Sequence, residues 1–298
     1  MAASSPTSTL LSPALLEQLE RLELVSRKIF RGRLKGERRS RRKGQSVEFA
    51  DFRNYVSGDD IRFIDWNIYA RLDRLFLKLF LEEEDLHFFT LIDASASMDF
   101  GSPTKLYFAK QLAAALGFIG LCRADRVKLE VLGAPRQRPG PPLRGRRDVW
   151  RMLEYLEGVA PGQNVPLADG VRDFCLRNKG QGILLLISDL LDKSGYENGL
   201  RFLLTQPLDL YVVHVLSREE LEPDLRGDLK LVDCEDADFA EISVSRPLLQ
   251  RYQRSLASFL DGAREFCLRR GISYLMTPAE TPVERIVADY LRRRGLVR

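Results

Sequence analysis

The sequence predicts an α/β protein: a doubly wound, mainly parallel sheet, preceded by an N-terminal helix and a small β-containing extension. Three observations carry that prediction. From residue 87 onward, strand-length apolar runs alternate with helix-length stretches, the pattern of a parallel sheet covered on both faces. The run Ile183-Leu-Leu-Leu-Ile187 has the length of a strand and falls far short of a membrane span. The run His87–Ile92 ends in Asp93-Ala-Ser95-Ala-Ser97, polar residues at a strand-to-helix turn, where open α/β sheets place their ligands.

The elements follow in order. Leu15, Leu16, Leu19, Leu22, Leu24 and Val25 recur at helical spacing and predict a first amphipathic helix over Leu15–Arg31. Residues 31–44 are basic and punctuated by glycine, which predicts a loop or arm. A polar and aromatic stretch, Glu48–Arg71, precedes a buried strand at Leu75–Leu81. After the strand His87–Ile92, Ser102 is the expected N-cap and Pro103 the first helical residue of a helix running to Cys122, with Leu106, Ala109, Leu112, Ala113 and Leu116 on one face. Arg126–Leu132 alternates as a half-exposed strand, and 134–147 is a Pro/Gly/Arg-rich loop. Helices near 148–158 and 166–178, strand 182–187, a helix near 196–205 and strand 210–216 come next. A small hairpin (229–232 with 240–244), a long helix near 248–270, strand 272–276 and helix 282–294 complete the chain. The expected division is a disordered tail at 1–12, a segment 13–85 holding the helix, the basic arm and an Arg/Asp-rich platform, and an α/β domain at 86–298.

Composition is that of a soluble globular protein, 45% hydrophobic and 30% charged in 298 residues. The N-terminus has no basic region followed by an apolar core, so it predicts no signal peptide. Four scattered cysteines form no CxxC or Cys/His cluster, which predicts reduced thiols and a cytoplasmic location.

Asp93, Ser95 and Ser97 offer one carboxylate and two hydroxyls at alternate positions, all hard oxygen donors of the kind Mg2+ prefers. The plainer alternative is that they cap the following helix. Ser188-Asp189, directly after the strand Gly182–Ile187, adds a carboxylate that a doubly wound sheet can bring beside Asp93, favouring a cation site over a cap.

Strand-DxSxS-helix with a later strand-SD resembles the von Willebrand factor A-type (vWA) domain and its metal-ion-dependent adhesion site, MIDAS. Upstream, Glu48-Phe49, Arg53, Tyr55, Gly58-Asp59-Asp60, Arg62, Ile64-Asp65-Trp66 and Ala70-Arg71 resemble domain-of-unknown-function family 58 (DUF58). Asp93, Ser95, Ser97-Met98, Asp125-Arg126-Val127, Ser188-Asp189, Asp233 and Glu235 extend the likeness, which covers the chain from about residue 13. The resemblance implies an A-type, Rossmann-like domain, Mg2+ or another divalent cation at Asp93, Ser95, Ser97 and Asp189, and a chaperone-like role beside a MoxR-type AAA+ ATPase in assembly or maturation of other proteins. It also implies that the ion holds an acidic side chain of a protein partner. The chain departs from the A-type pattern in one place. Val165 stands where a ligating threonine is expected, leaving the neighbouring Asn164 as a substitute ligand or a degenerate site.

Arg53, Asp59, Asp60, Arg62, Asp65 and Arg71 gather equal numbers of guanidiniums and carboxylates near Phe49, Tyr55 and Trp66. Bidentate pairing predicts a charge-paired platform packed on the sheet rather than an acid/base site. Two segments, 27–43 and 136–147, are strongly basic. Arg38, Arg39, Arg41, Arg42 and Lys43 are candidate docking residues for an acidic protein surface, and nucleic acid is the competing ligand. Neither segment interleaves aromatics, and no helix-turn-helix or zinc-finger pattern is present. Of the two histidines, His214 sits inside an apolar strand and His87 opens one, so no Ser/His/Asp triad is supported. No P-loop or GxGxxG occurs, and a metal-dependent phosphatase would need a nucleophile or further ligands. The expected protein is therefore a non-enzymatic binding module.

Overall fold

The computed structural model describes residues 10–26, 48–81, 86–133, 139–162, 165–233 and 239–298. The basic residues Arg38, Arg39, Arg41, Arg42 and Lys43, Asn164, and positions 1–9 of the expected tail at 1–12 lie outside them. The rest of that expected tail is ordered, with Leu10 and Leu11 buried in the core and Ser12 capping the first helix. The chain forms two compact units: one from 1–34 with 86–298, the other from 35–85.

The larger unit is a six-stranded sheet. Its strands are β3 (His87–Asp93), β4 (Arg126–Leu132), β5 (Leu143–Arg144), β6 (Gly182–Ser188), β7 (Leu208–Leu216) and β10 (Ser273–Pro278), in the order β10-β7-β6-β3-β4-β5. All neighbours are parallel except the short edge strand β5, which runs antiparallel to β4. Counted within this sheet alone, the order is 3-2-1-4-5-6, that of a doubly wound fold. The winding reverses between β3 and β6, so their carboxyl ends flank the crevice where such folds bind ligands. This is the predicted fold class. The edge strand lies inside the stretch expected to be a loop.

One face of the sheet is covered by α1 (Pro13–Leu19), α3 (Lys105–Cys122), α4 (Val149–Glu157) and the C-terminal segment, which contribute Leu15, Leu19, Leu116, Met152, Ile286 and Leu291 to a single core. The other face is covered by α5 (Leu167–Arg177), α6 (Glu197–Leu204) and the C-terminal part of α8 (Arg246–Arg269), through Val171, Phe174, Leu200, Ala263 and Cys267. Helix α3 is buried on nearly all sides rather than along one stripe. By length and composition it could cross a membrane, but it forms the centre of the first core. Cys122, Cys175 and Cys267 are free thiols.

Several boundaries differ from expectation. Helix α1, capped by Ser12, ends at Leu19, and Leu24 then pairs as an extended residue with Val297. This helix belongs to the α/β unit rather than to a segment 13–85, because Leu15 and Leu19 are buried in the α/β core. Thr104, not Ser102, caps α3, its hydroxyl accepting from the Tyr107 N–H. The last helix is a short α-turn, Val283–Arg285, continued by a π-turn, Ile286–Leu291. A one-turn helix, α7 (Arg218–Leu221), follows β7.

The smaller unit pairs β1 (Glu48–Asn54) with β2 (Phe76–Leu81) as an antiparallel hairpin around α2 (Trp66–Leu72). Asp65 caps α2 by accepting from the Asn67 and Ile68 N–H groups, and Asp73 closes it in the left-handed conformation. The expected hairpin of the larger unit forms from β8 (Gly227–Val232) and β9 (Phe239–Val244).

Candidate functional site at the sheet reversal

β3 delivers Asp93 to the crevice and β6 delivers Ser188-Asp189, one strand over. The Ser188 hydroxyl accepts from the Leu190 N–H (2.9 Å) and so spends its one proton on Asp93 Oδ2, at 2.6 Å. Asp93 Oδ1 accepts from the Ser95 N–H at 2.9 Å. Ser95 and Ser97 place their hydroxyl oxygens 3.0 Å apart. Burial pushes the Asp93 carboxyl above its ordinary range, the negative charge of Asp189 adds to that, and the hydrogen bonds from Ser188 and Ser95 oppose it. The loop that follows α4 is tied over the same strand end, where the Gly162 N–H donates to the Ala94 carbonyl at 2.6 Å. The structure thus brings together Asp93, Ser95 and Ser97 with Ser188 and Asp189. The capping alternative holds in part. Asp93 and Asp189 each bond loop backbone, accepting from the Ser95 and Leu191 N–H groups, whereas Ser95, at the start of the 3-10 turn Ala96–Asp99, makes no side-chain cap bond and Thr104 caps α3.

Lys105 was not foreseen. It is the first residue of α3, its side chain has 0% exposure, and its Nζ donates to Asp189 Oδ2 at 2.8 Å and to Glu220 Oε1 at 2.5 Å. Burial pulls the ammonium down, but the charges of Asp189 and Glu220 and their hydrogen bonds more than offset this, and its pKa is raised. Glu220 comes from α7. Its other oxygen accepts from the Ser217 N–H at 2.7 Å, and the Ser217 hydroxyl accepts from the Glu220 N–H, a reciprocal capping box. The ends of β3, β6 and β7 therefore meet in one hydrogen-bonded cluster. Gly101 permits the close approach: a Cβ there would lie 2.7 Å from the Ser217 Cβ, and its φ of +95° suits glycine.

The donor set can be tested against a divalent ion. Asp93, Ser95 and Ser97 have the chemistry. Asp189 is already neutralised by the Lys105 ammonium on Oδ2, with the Leu191 N–H on Oδ1 at 3.1 Å, so an added divalent ion there would meet a fixed positive charge. The Val165 side chain offers no ligand atom. As arranged, the four predicted residues do not fit one shared ion.

In the smaller unit, the expected Arg–Asp pairing is partial. Arg53 bonds Asp59 (2.8 Å), and Arg62 grips Asp60 through Nε and Nη2 (3.1 and 2.9 Å). Asp65 pairs with Lys78 rather than an arginine (3.0 Å), and Arg71 makes no ion pair among the described residues. The hydrogen bond from Lys78, which burial opposes, holds the Asp65 carboxyl below its ordinary range. In the basic loop, Arg146 pairs with Glu20, and Arg144 donates to the Ala124 carbonyl.

Residues 51–258 match the family described as protein of unknown function DUF58. The chain belongs to the DUF58 family. Among curated proteins, this DUF58 chain is 27% identical over 252 residues to the uncharacterized proteins Mb1516 of Mycobacterium bovis and Rv1480 of Mycobacterium tuberculosis. In each case the alignment covers 83% of this chain and 79% of the relative. Among solved structures, the VWA domain of SpRpn10 aligns with 67% of this chain and 91% of its own, with a TM-score of 0.37 and 12% identity. Within the DUF58 chain, Lys105 and Glu220 are the site residues that sequence reasoning missed. One signal was available: a lysine opening an almost wholly apolar helix opposes the helix dipole, an arrangement that calls for acidic partners nearby.

Proposed function

We propose that this DUF58 protein is a non-enzymatic protein-binding module of the cytoplasm, working through the strand-end face of Asp93, Ser95 and Ser97 backed by Asp189. Its partner in this reading is a MoxR-type AAA+ ATPase, and the pair acts in assembly or maturation of other proteins. The supporting observation is the convergence of two acidic strand ends and two serine hydroxyls at the reversal point of a doubly wound sheet, where such folds bind their ligands. The reading holds with or without Mg2+.

The test is capture of the ATPase by immobilised wild type and by Asp93→Ala/Ser95→Ala, with and without EDTA. Wild type retains the ATPase and the variant loses it. Equal retention by a folded variant would remove this face from the interaction.

A further inference from the structure

We propose that the Lys105 ammonium is the resident cation of this face: it supplies to Asp189 the positive charge that a divalent ion would supply, and it takes Asp189 out of any ligand set. The inference rests on reading the strand-end cluster as the working face. Its test reads a metal rather than a partner, so the two can fail separately.

Three features support it. The ammonium is fully enclosed and carries two carboxylate bonds, to Asp189 and Glu220. Each carboxylate is also held by a backbone donor on its other oxygen, Asp189 by the Leu191 N–H and Glu220 by the Ser217 N–H. The lysine also sits on the first turn of α3, where the helix dipole disfavours a cation. Burying an ammonium there is stable only because paired carboxylates replace its water. A divalent ion approaching Asp189 would have to sit beside a fixed positive charge in a site of low dielectric, where like charges repel strongly. What remains for such an ion is Asp93, Ser95 and Ser97, with both Asp93 oxygens already accepting hydrogen bonds.

Mn2+ is the probe, titrated into the metal-stripped full chain and followed by electron paramagnetic resonance of the free ion. Wild type shows no saturable site up to about 1 mM, the weak end of protein cation sites. Lys105→Ala frees Asp189 and gains one site per chain, about tenfold tighter or better, which Lys105→Ala/Asp189→Asn loses. Should Lys105→Ala lack a folded circular dichroism spectrum, Lys105→Met keeps the buried stem and replaces it. A saturable wild-type site that Asp189→Asn abolishes overturns the proposal, as does a folded lysine variant that binds Mn2+ no better than wild type.

Discussion

His214 lies in β7 with its ring buried, Nδ1 hydrogen-bonded to the Tyr274 hydroxyl at 2.8 Å and its edge against Phe259. Burial lowers its pKa from 6.5 to about 4, against a weaker upward pull from Asp189. The sign of the consequence follows. Between those two values the unfolded chain binds a proton on this imidazole and the folded chain does not, so stability is present above pH 6.5 and is lost as pH falls towards 4. The full loss amounts to about 3 kcal/mol. His214→Gln removes that dependence. In urea unfolding, the difference between wild type and His214→Gln should therefore shrink as pH is lowered from 7 to 4.5. A gap that stays constant over the range would mean the ring is not held neutral by the fold. The same neighbourhood shows what sequence alone can say of a residue. An imidazole inside Leu210-Tyr-Val-Val-His214-Val-Leu216 reads as core, because every flanking position is apolar. A lysine in Thr104-Lys105-Leu106 reads as a solvated helix start, because lysines are seldom fully buried. Its two carboxylate partners are 84 and 115 residues away and leave no local trace.

At the scale of elements, the strands β3, β6 and β7 were legible because each is largely a run of apolar residues that the parallel sheet buries on both faces, whereas β4 was legible by its alternation, and the sheet buries Glu130 where a half-exposed strand was expected. The two-residue edge strand β5 and the single turn α7 were not, since neither is long enough to show a period. The helical spacing that begins in α1 continues to Val25, yet the helix ends at Leu19. Leu24 and Val25 are drawn into extended pairing with Val297 and Leu296, at the far end of the chain. The turn between β3 and α3 is fixed by a contact between elements rather than by its own sequence. Gly101 lies against Ser217, the cap of α7, with a positive φ that side chains avoid. Gly101→Ala therefore carries a cost in φ of about 1–2 kcal/mol and adds a clash with the Ser217 Cβ. Ser217→Gly relieves the clash while losing the cap hydroxyl, at a cost of roughly a few tenths of a kcal/mol. In chemical denaturation the double variant should be less destabilised than the sum of the singles, the mark of a direct contact. Additive effects would show that the two loops adjust independently.

Over the whole molecule, sheet order is what turned scattered motifs into a site. Asp93 and Asp189 are 96 positions apart in the chain and become neighbours because β3 and β6 flank the point where the winding reverses. That much followed from recognising a doubly wound pattern. The partition of the chain did not, because it depends on contacts between its two ends. Glu23 and Arg298 exchange backbone hydrogen bonds, Leu24 pairs with Val297, and Ser26 donates to Asp209 Oδ2 at 2.7 Å. The segment through Ser26 is thus part of the α/β unit, and residues 35–85 form an insertion within it. Among the described residues, neither hydrophobic core of the α/β unit includes any from that segment. Replacing residues 35–85 by a Gly/Ser linker of about 20 residues, with a root-mean-square reach of roughly 25 Å, should leave a cooperatively folding protein. Calorimetry should show a single transition within a few degrees of the wild-type midpoint, and circular dichroism should keep the α/β signature. A chain that binds hydrophobic dyes and melts without a transition would show instead that the insertion is needed to fold the sheet.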